Sequence, residues 1–109
     1  MWLQQKAADG SFPAVNVAAV VTKTAVAGQR HAIYGILFSY NAAPTGGRLT
    51  VTDGGVTVID LQVNAAGAVL IPFNYQMAFG VNSEVVVTLA AGGAAVTGKL
   101  QLIGHTSLS

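Results

Sequence analysis

Arg48-Leu49-Thr50-Val51-Thr52-Asp53-Gly54-Gly55-Val56-Thr57-Val58-Ile59-Asp60-Leu61-Gln62-Val63 carries the clearest strand signal in the chain. Apolar and polar residues alternate on both sides of an Asp-Gly-Gly turn, the pattern of two half-buried strands joined by a hairpin. Residues opposite one another in a strand pair point to the same side, so Leu49 and Val51 must share a face with Ile59 and Leu61. A two-residue loop would set Leu49 against Asp60 and break that rule. A three-residue loop, Asp53-Gly54-Gly55 with one glycine in the left-handed region, predicts Leu49 opposite Ile59 and Val51 opposite Thr57. It also predicts Arg48 opposite Asp60 on the outer face.

The same signals recur outward from this hairpin. Val, Ile and Thr are dense, glycine-rich punctuation returns about every dozen residues, and no helical period is present. Strands are expected near Val15–Thr22, Arg30–Tyr40, Arg48–Thr52, Thr57–Val63, Ala68–Phe73, Glu84–Ala90 and Val96–Ile103, with a short extra one at Gln76–Phe79. Turns fall at Ala43-Pro44-Thr45-Gly46-Gly47, at Asn64-Ala65-Ala66-Gly67, read as a second hairpin, and at Ala91-Gly92-Gly93-Ala94. Pro72 cannot donate to a ladder and should end its strand or lie at an edge. Seven or eight strands in one small domain imply an all-β antiparallel sandwich of jelly-roll type.

The strand Arg30–Tyr40 has two apolar faces. Ala32, Tyr34, Ile36, Phe38 and Tyr40 alternate with His31, Ile33, Gly35 and Leu37, so both faces should be covered. One covers the core; the other is expected to meet a second layer, a neighbouring subunit or the N-terminal arm. That arm is residues 1–13, ahead of a sandwich domain at 14–109. Trp2, Leu3 and Phe12 are apolar anchors there without a strand pattern, suited either to docking on a partner or to capping their own sandwich. Trp2, Leu3, Phe12, Tyr34, Ile36, Phe38 and Tyr40 are therefore the candidate protein-interface residues.

Composition points the same way. Only 8% of the 109 residues are charged while 52% are apolar, and the net charge is +1. Soluble domains average roughly 25% charged residues, so much of this surface is expected to lie against other subunits. The balance supplies no field for nucleic acid or an anionic bilayer. The densest apolar stretch, Ala32 to Phe38, is far shorter than the ~20 residues of a spanning helix. One Trp, three Tyr and four Phe are too few for the aromatic girdles of a membrane barrel. The first residues lack the basic start and apolar core of a signal peptide. Cysteine is absent, which removes disulfides and thiolate metal sites.

Chemistry-bearing residues are sparse and scattered. The acids are Asp9, Asp53, Asp60 and Glu84, with no pair set to converge across a glycosidic bond. His31 and His105 would need a further ligand to hold zinc, and no nucleophile elbow accompanies them. None of the Gly-Gly pairs follows a strand and opens a helix, so none is a phosphate cradle. Asp53 with turn carbonyls is the remaining candidate for calcium, against the plainer reading of a turn. No enzyme activity and no cofactor are expected.

The run His31 to Tyr40, followed by Ala42-Ala43-Pro44-Thr45-Gly46-Gly47 and the hairpin, resembles small virion proteins of tailed bacteriophages. Glu84-Val85-Val86-Val87-Thr88-Leu89-Ala90-Ala91-Gly92-Gly93 with Thr97-Gly98-Lys99-Leu100 is similar to the same group, and the likeness spans residues 28–105. It implies a small β-sandwich, often trimeric, that decorates or cements a capsid or forms part of a tail or fibre. The expected partners are copies of itself and the major capsid protein or another virion protein, on the capsid surface. The alternative is a tail, fibre or spike-associated module that recognises a host surface glycan.

Overall fold

The computed structural model describes residues 10–108, with side chains for all of these except 74–76 and 107–108. Eight strands form: β1 (Gly10–Ser11), β2 (Ala19–Lys23), β3 (Gln29–Tyr40), β4 (Arg48–Asp53), β5 (Val56–Gln62), β6 (Gly67–Ala78), β7 (Val85–Leu89) and β8 (Gly98–Leu108). There is no helix among the described residues. They make two antiparallel four-stranded sheets, ordered β1-β8-β3-β6 and β2-β7-β4-β5. Every connection crosses between the sheets except β4–β5, the order of a jelly roll built from two Greek keys.

The rows of paired residues explain the core. In one sheet Ala19, Leu89, Leu49 and Leu61 lie side by side, and so do Val21, Val87, Val51 and Ile59. In the other, Leu100, Phe38 and Val69 form one row and Leu102, Ile36 and Ile71 the next. These rows face each other and, with Ile33, Tyr40, Phe79, Val85 and Val96, fill the interior. Burying a Val, Leu, Ile or Phe side chain contributes ~1.5–3 kcal/mol, so this interior is the main source of stability.

The β4–β5 hairpin keeps the expected sidedness by a different device. Gly54 and Gly55 both have positive φ, 59° and 88°, which makes a two-residue loop with Asp53 opposite Val56. Val58 is then an extra residue in β5, so Val51 pairs with Ile59 and Leu49 with Leu61. The bulge restores the parity that a two-residue loop alone would break. The expected pairing of Leu49 with Ile59 and Val51 with Thr57 is therefore corrected by two positions, and Asp60 stands opposite Thr50. Arg48 still reaches Asp60, diagonally, through both its Nε and Nη2 on the outer face.

A second bulge overturns the reading of β3. Ile33 pairs with Gly104 but Gly35 with Ile103, leaving Tyr34 as the additional residue. Before the bulge His31 and Ile33 face the core; after it Ile36, Phe38 and Tyr40 do. The two apolar sets that read as two faces supply one inner face in turn, His31 and Ile33 before the switch of parity at Tyr34 and Ile36, Phe38 and Tyr40 after it, while Ala32 and Leu37 lie on the other side of the sheet. Ile36, Phe38 and Tyr40 are thus in the domain's own core and not on an outer face.

Three boundaries also shift. Gly10 and Ser11 pair with Gln101 and Leu100, so the sandwich starts inside the expected arm. The strand expected at Val15 begins at Ala19, because Asn16 takes φ 55° and its backbone N–H donates to Val96 O at 2.8 Å. The Asn64–Gly67 turn joins β5 to β6 across the two sheets and closes no hairpin. Pro72 lies in β6, an edge strand, where its missing N–H is tolerated.

Candidate functional site

The two outer faces differ because their alternate residues differ. On the β2-β7-β4-β5 sheet the outward rows are mainly threonine, with Thr22, Thr52, Thr57, Thr50 and Thr88 around the Arg48–Asp60 pair. The outward row of the other sheet runs Gln101, Leu37, Leu70, beside a second row of Lys99, Ser39 and Ala68. Phe12, just beyond β1 and 55% exposed, closes one side of this surface. Phe12, Leu37, Ser39, Ala68, Lys99 and Gln101 bound an open groove of about 180 Å³, with Phe38 and Leu100 also contributing to its lining. Gly10 permits the arrangement: a Cβ there would sit 2.6 Å from the Gln101 Oε1 and 2.7 Å from the Phe12 Cζ.

Along the β5–β6 flank the sandwich is open. Leu61 and Val69 occupy inner rows, beside buried Leu49 and Phe38, yet are 44% and 41% exposed. Val56, Val58 and Leu70 add exposed apolar surface at the same flank. On the opposite flank β1 lies against β2, and Ala19 and Val21 are buried. One flank is closed by its own strands and the other is not.

The polar groups inside the fold act as ties. His31 is buried, with Nε2 donating to the Thr24 carbonyl at 2.8 Å and Nδ1 lying 2.7 Å from the Thr106 hydroxyl. A carbonyl only accepts, so Nε2 is the donor on that side, and both ring nitrogens have partners. Asp53 accepts hydrogen bonds from the Ser83 hydroxyl and from Gly80 N at 3.2 Å, while Gly54 N donates to Glu84 O at 2.9 Å. Its carboxylate clamps the hairpin to the 80–84 loop, which accounts for Asp53 without calcium. No cluster of three or more His, Cys, Asp or Glu suited to a metal ion occurs among the described residues.

Three groups have displaced protonation equilibria with visible causes. Burial pushes the Tyr40 hydroxyl up from its ordinary value, partly opposed by a hydrogen bond with the Arg48 backbone. The Arg48 guanidinium, hydrogen-bonded to Asp60, holds that carboxyl below its ordinary value and is itself raised.

Of the candidate interface residues, Trp2 and Leu3 lie outside the described residues. Phe12 is exposed on the groove, and Tyr34 is half-buried with its ring 5.3 Å from that of His105. Ile36, Phe38 and Tyr40 are interior. The structure brings Phe12 together with Leu37, Lys99 and Gln101, a grouping the sequence left unread because those residues meet only through the β1–β8–β3 pairing.

The fold and faces define a jelly-roll sandwich with one grooved outer face and one open flank. No protein-family model matches the chain, and no curated protein matches it. Among solved structures it is similar to a family 35 carbohydrate binding module from an environmental isolate, with a TM-score of 0.50 and 13% sequence identity. The superposition covers 100% of this chain and 98% of that one. At that identity the likeness bears on the fold, an all-β sandwich of the same extent.

Proposed function

We propose that the chain is a non-enzymatic building block of a larger particle: a jelly-roll virion protein that associates with copies of itself and decorates or cements a capsid. The observation that supports this reading is the open β5–β6 flank, where inner-row side chains Leu61 and Val69 stand exposed. Apolar side chains aligned with a core row but left in water are what an intersubunit contact covers. The very low charge, 8% of residues, agrees with a surface largely occupied by neighbours. Trp2, Leu3 and Phe12 are assigned to docking on the capsid or another virion protein. Co-sedimentation with particles lacking the protein tests the reading: saturable pelleting with the capsid supports it, and a protein that stays in the supernatant at every ratio contradicts it. Removing residues 1–9, which takes away Trp2 and Leu3 and spares all eight strands, should abolish pelleting while the remaining domain stays folded.

A second reading has its own support. The structural neighbour is a carbohydrate binding module, and the groove combines an exposed aromatic ring, Phe12, with the polar side chains of Ser39, Lys99 and Gln101. On this reading the chain is a tail, fibre or spike-associated module that holds a host surface glycan by stacking and hydrogen bonds. Calorimetric titration with a panel of oligosaccharides tests it, with Phe12→Ala as the control that should remove any binding.

A further inference from the structure

A free strand edge is a template for another strand, and sandwiches guard their edges with short strands, proline, lysine or glycine irregularities. Three of the four edges here are guarded. β1 has only two residues, β6 carries Pro72, and β2 is five residues ending in Lys23. β5 has seven residues, Val-Thr-Val-Ile-Asp-Leu-Gln, with no proline, lysine or glycine; its one irregularity is the bulge at Val58, beyond which Ile59 to Gln62 run in regular register. Its one charged residue, Asp60, is already held by Arg48. Val58 and Leu61 on it are 45% and 44% exposed.

We infer that the β5 edge pairs antiparallel with β5 of a second copy of this chain, so that two β2-β7-β4-β5 sheets become one continuous eight-stranded sheet. This rests on the building-block reading and names the partner of its open flank. Charge and size both favour a second copy as the occupant. β5 and β6 contain no unpaired charge between them, so a self-pair brings no like charges together and a charged partner finds nothing to recognise. The domain measures 42 × 26 × 25 Å. A side along its long axis is on the order of 1,000 Å², an upper bound on what this flank can bury, so the flank has room for the ~800 Å² each partner contributes to a standard interface. Such a contact would also cover Leu61 and Val69, which the chain leaves open. Because β5 meets itself, the contact is isologous and two-fold, and it closes instead of propagating. A trimer would instead require β5 to meet a different element of its neighbour.

Sedimentation velocity on the full chain over a micromolar concentration series tests this, with Val58→Lys, Leu61→Lys and, as a control on the far edge, Val20→Lys. The wild type and Val20→Lys should form a dimer at the same concentrations. Either β5 variant should remain monomeric there, a loss of at least about ten-fold in association (~1.4 kcal/mol), and should melt like the wild type at dilutions where the wild type is monomeric too, because both positions are exposed. Hydrogen exchange on the wild type gives a variant-free check: amides within Val56–Gln62 should gain protection as concentration rises. A wild type that is monomeric throughout, a trimer, or a dimer indifferent to both β5 lysines would overturn the inference. Capsid pelleting that survives in that last case leaves the building-block reading standing. A β5-dependent dimer that never pellets with particles rejects that reading and keeps the edge.

Discussion

Tyr40→Phe isolates the hydrogen bonding of one hydroxyl at the end of the core. The ring is held between two glycines: a Cβ at Gly92 would come within 3.0 Å of its Cε1, and one at Gly98 within 3.1 Å. Phenylalanine keeps that packing and removes only the hydroxyl, which donates to Ala90 O at 2.5 Å. Leaving a buried acceptor unpaired costs ~1–3 kcal/mol; Ala90 is half-buried and water can approach it, so the low end, ~1 kcal/mol, is expected. For a domain of this size that is a fall in Tm of ~4–8 °C. Thermal melts at neutral pH by circular dichroism read it. The pH dependence supplies a second arm. Tyr40 has its hydroxyl pKa raised by burial, so the folded state holds the proton longer than the unfolded one. The associated stability is complete below pH about 10, the usual tyrosine value, and declines as pH rises through the higher folded value. The gap between wild type and Tyr40→Phe should therefore narrow above that pH. An unchanged Tm at neutral pH would refute the account of the hydroxyl, and a fall beyond about 15 °C, several kcal/mol on this scale, would show that ring packing had been lost as well.

Three further outcomes follow from the same geometry. Gly92→Ala should destabilise by ~1–3 kcal/mol through overpacking, because its new methyl would lie 2.5 Å from Val96 Cγ1; urea denaturation measures the midpoint shift. Asp53→Ala releases Ser83 and Gly80 from the hairpin and should cost ~1–2 kcal/mol, while millimolar calcium leaves the wild-type melt unmoved. Protonating Asp60, whose pKa Arg48 lowers, removes stability only as pH falls through values below its ordinary range; Asp60→Asn should abolish that acid component in a melt series, and the effect is small for so exposed a pair.

How far the residues disclosed this can be followed along three strands. Parity in β4–β5 was legible, because Leu49, Val51, Ile59 and Leu61 have to share a face whatever the loop length. What parity cannot decide is where the compensating residue sits, and Val58 in the strand does the same work as a third loop residue. In β3 every position near Tyr34 is apolar or small, so the bulge has no signature in the pattern and the face switch was hidden. β1 is two residues of Gly-Ser whose pairing depends wholly on Gln101 and Leu100 across the sheet. The groove inherits that difficulty, since Phe12 reaches Leu37 and Gln101 only through tertiary pairing. The open flank was hidden for another reason: Leu61 and Val69 read as ordinary core positions, and only the width of the sandwich leaves them uncovered.

Copies of this chain meet at the open β5–β6 flank, and the Phe12 groove is not a sugar site. Amide chemical shifts in a two-dimensional NMR dilution series, followed by addition of oligosaccharides, test it most directly. Concentration-dependent shifts are expected only in β5 and the facing part of β6, around Leu61, Val69 and Leu70, with the groove residues Leu37, Lys99 and Gln101 unmoved by sugar. Spectra that are independent of concentration, with shifts at the groove on adding an oligosaccharide, would contradict it.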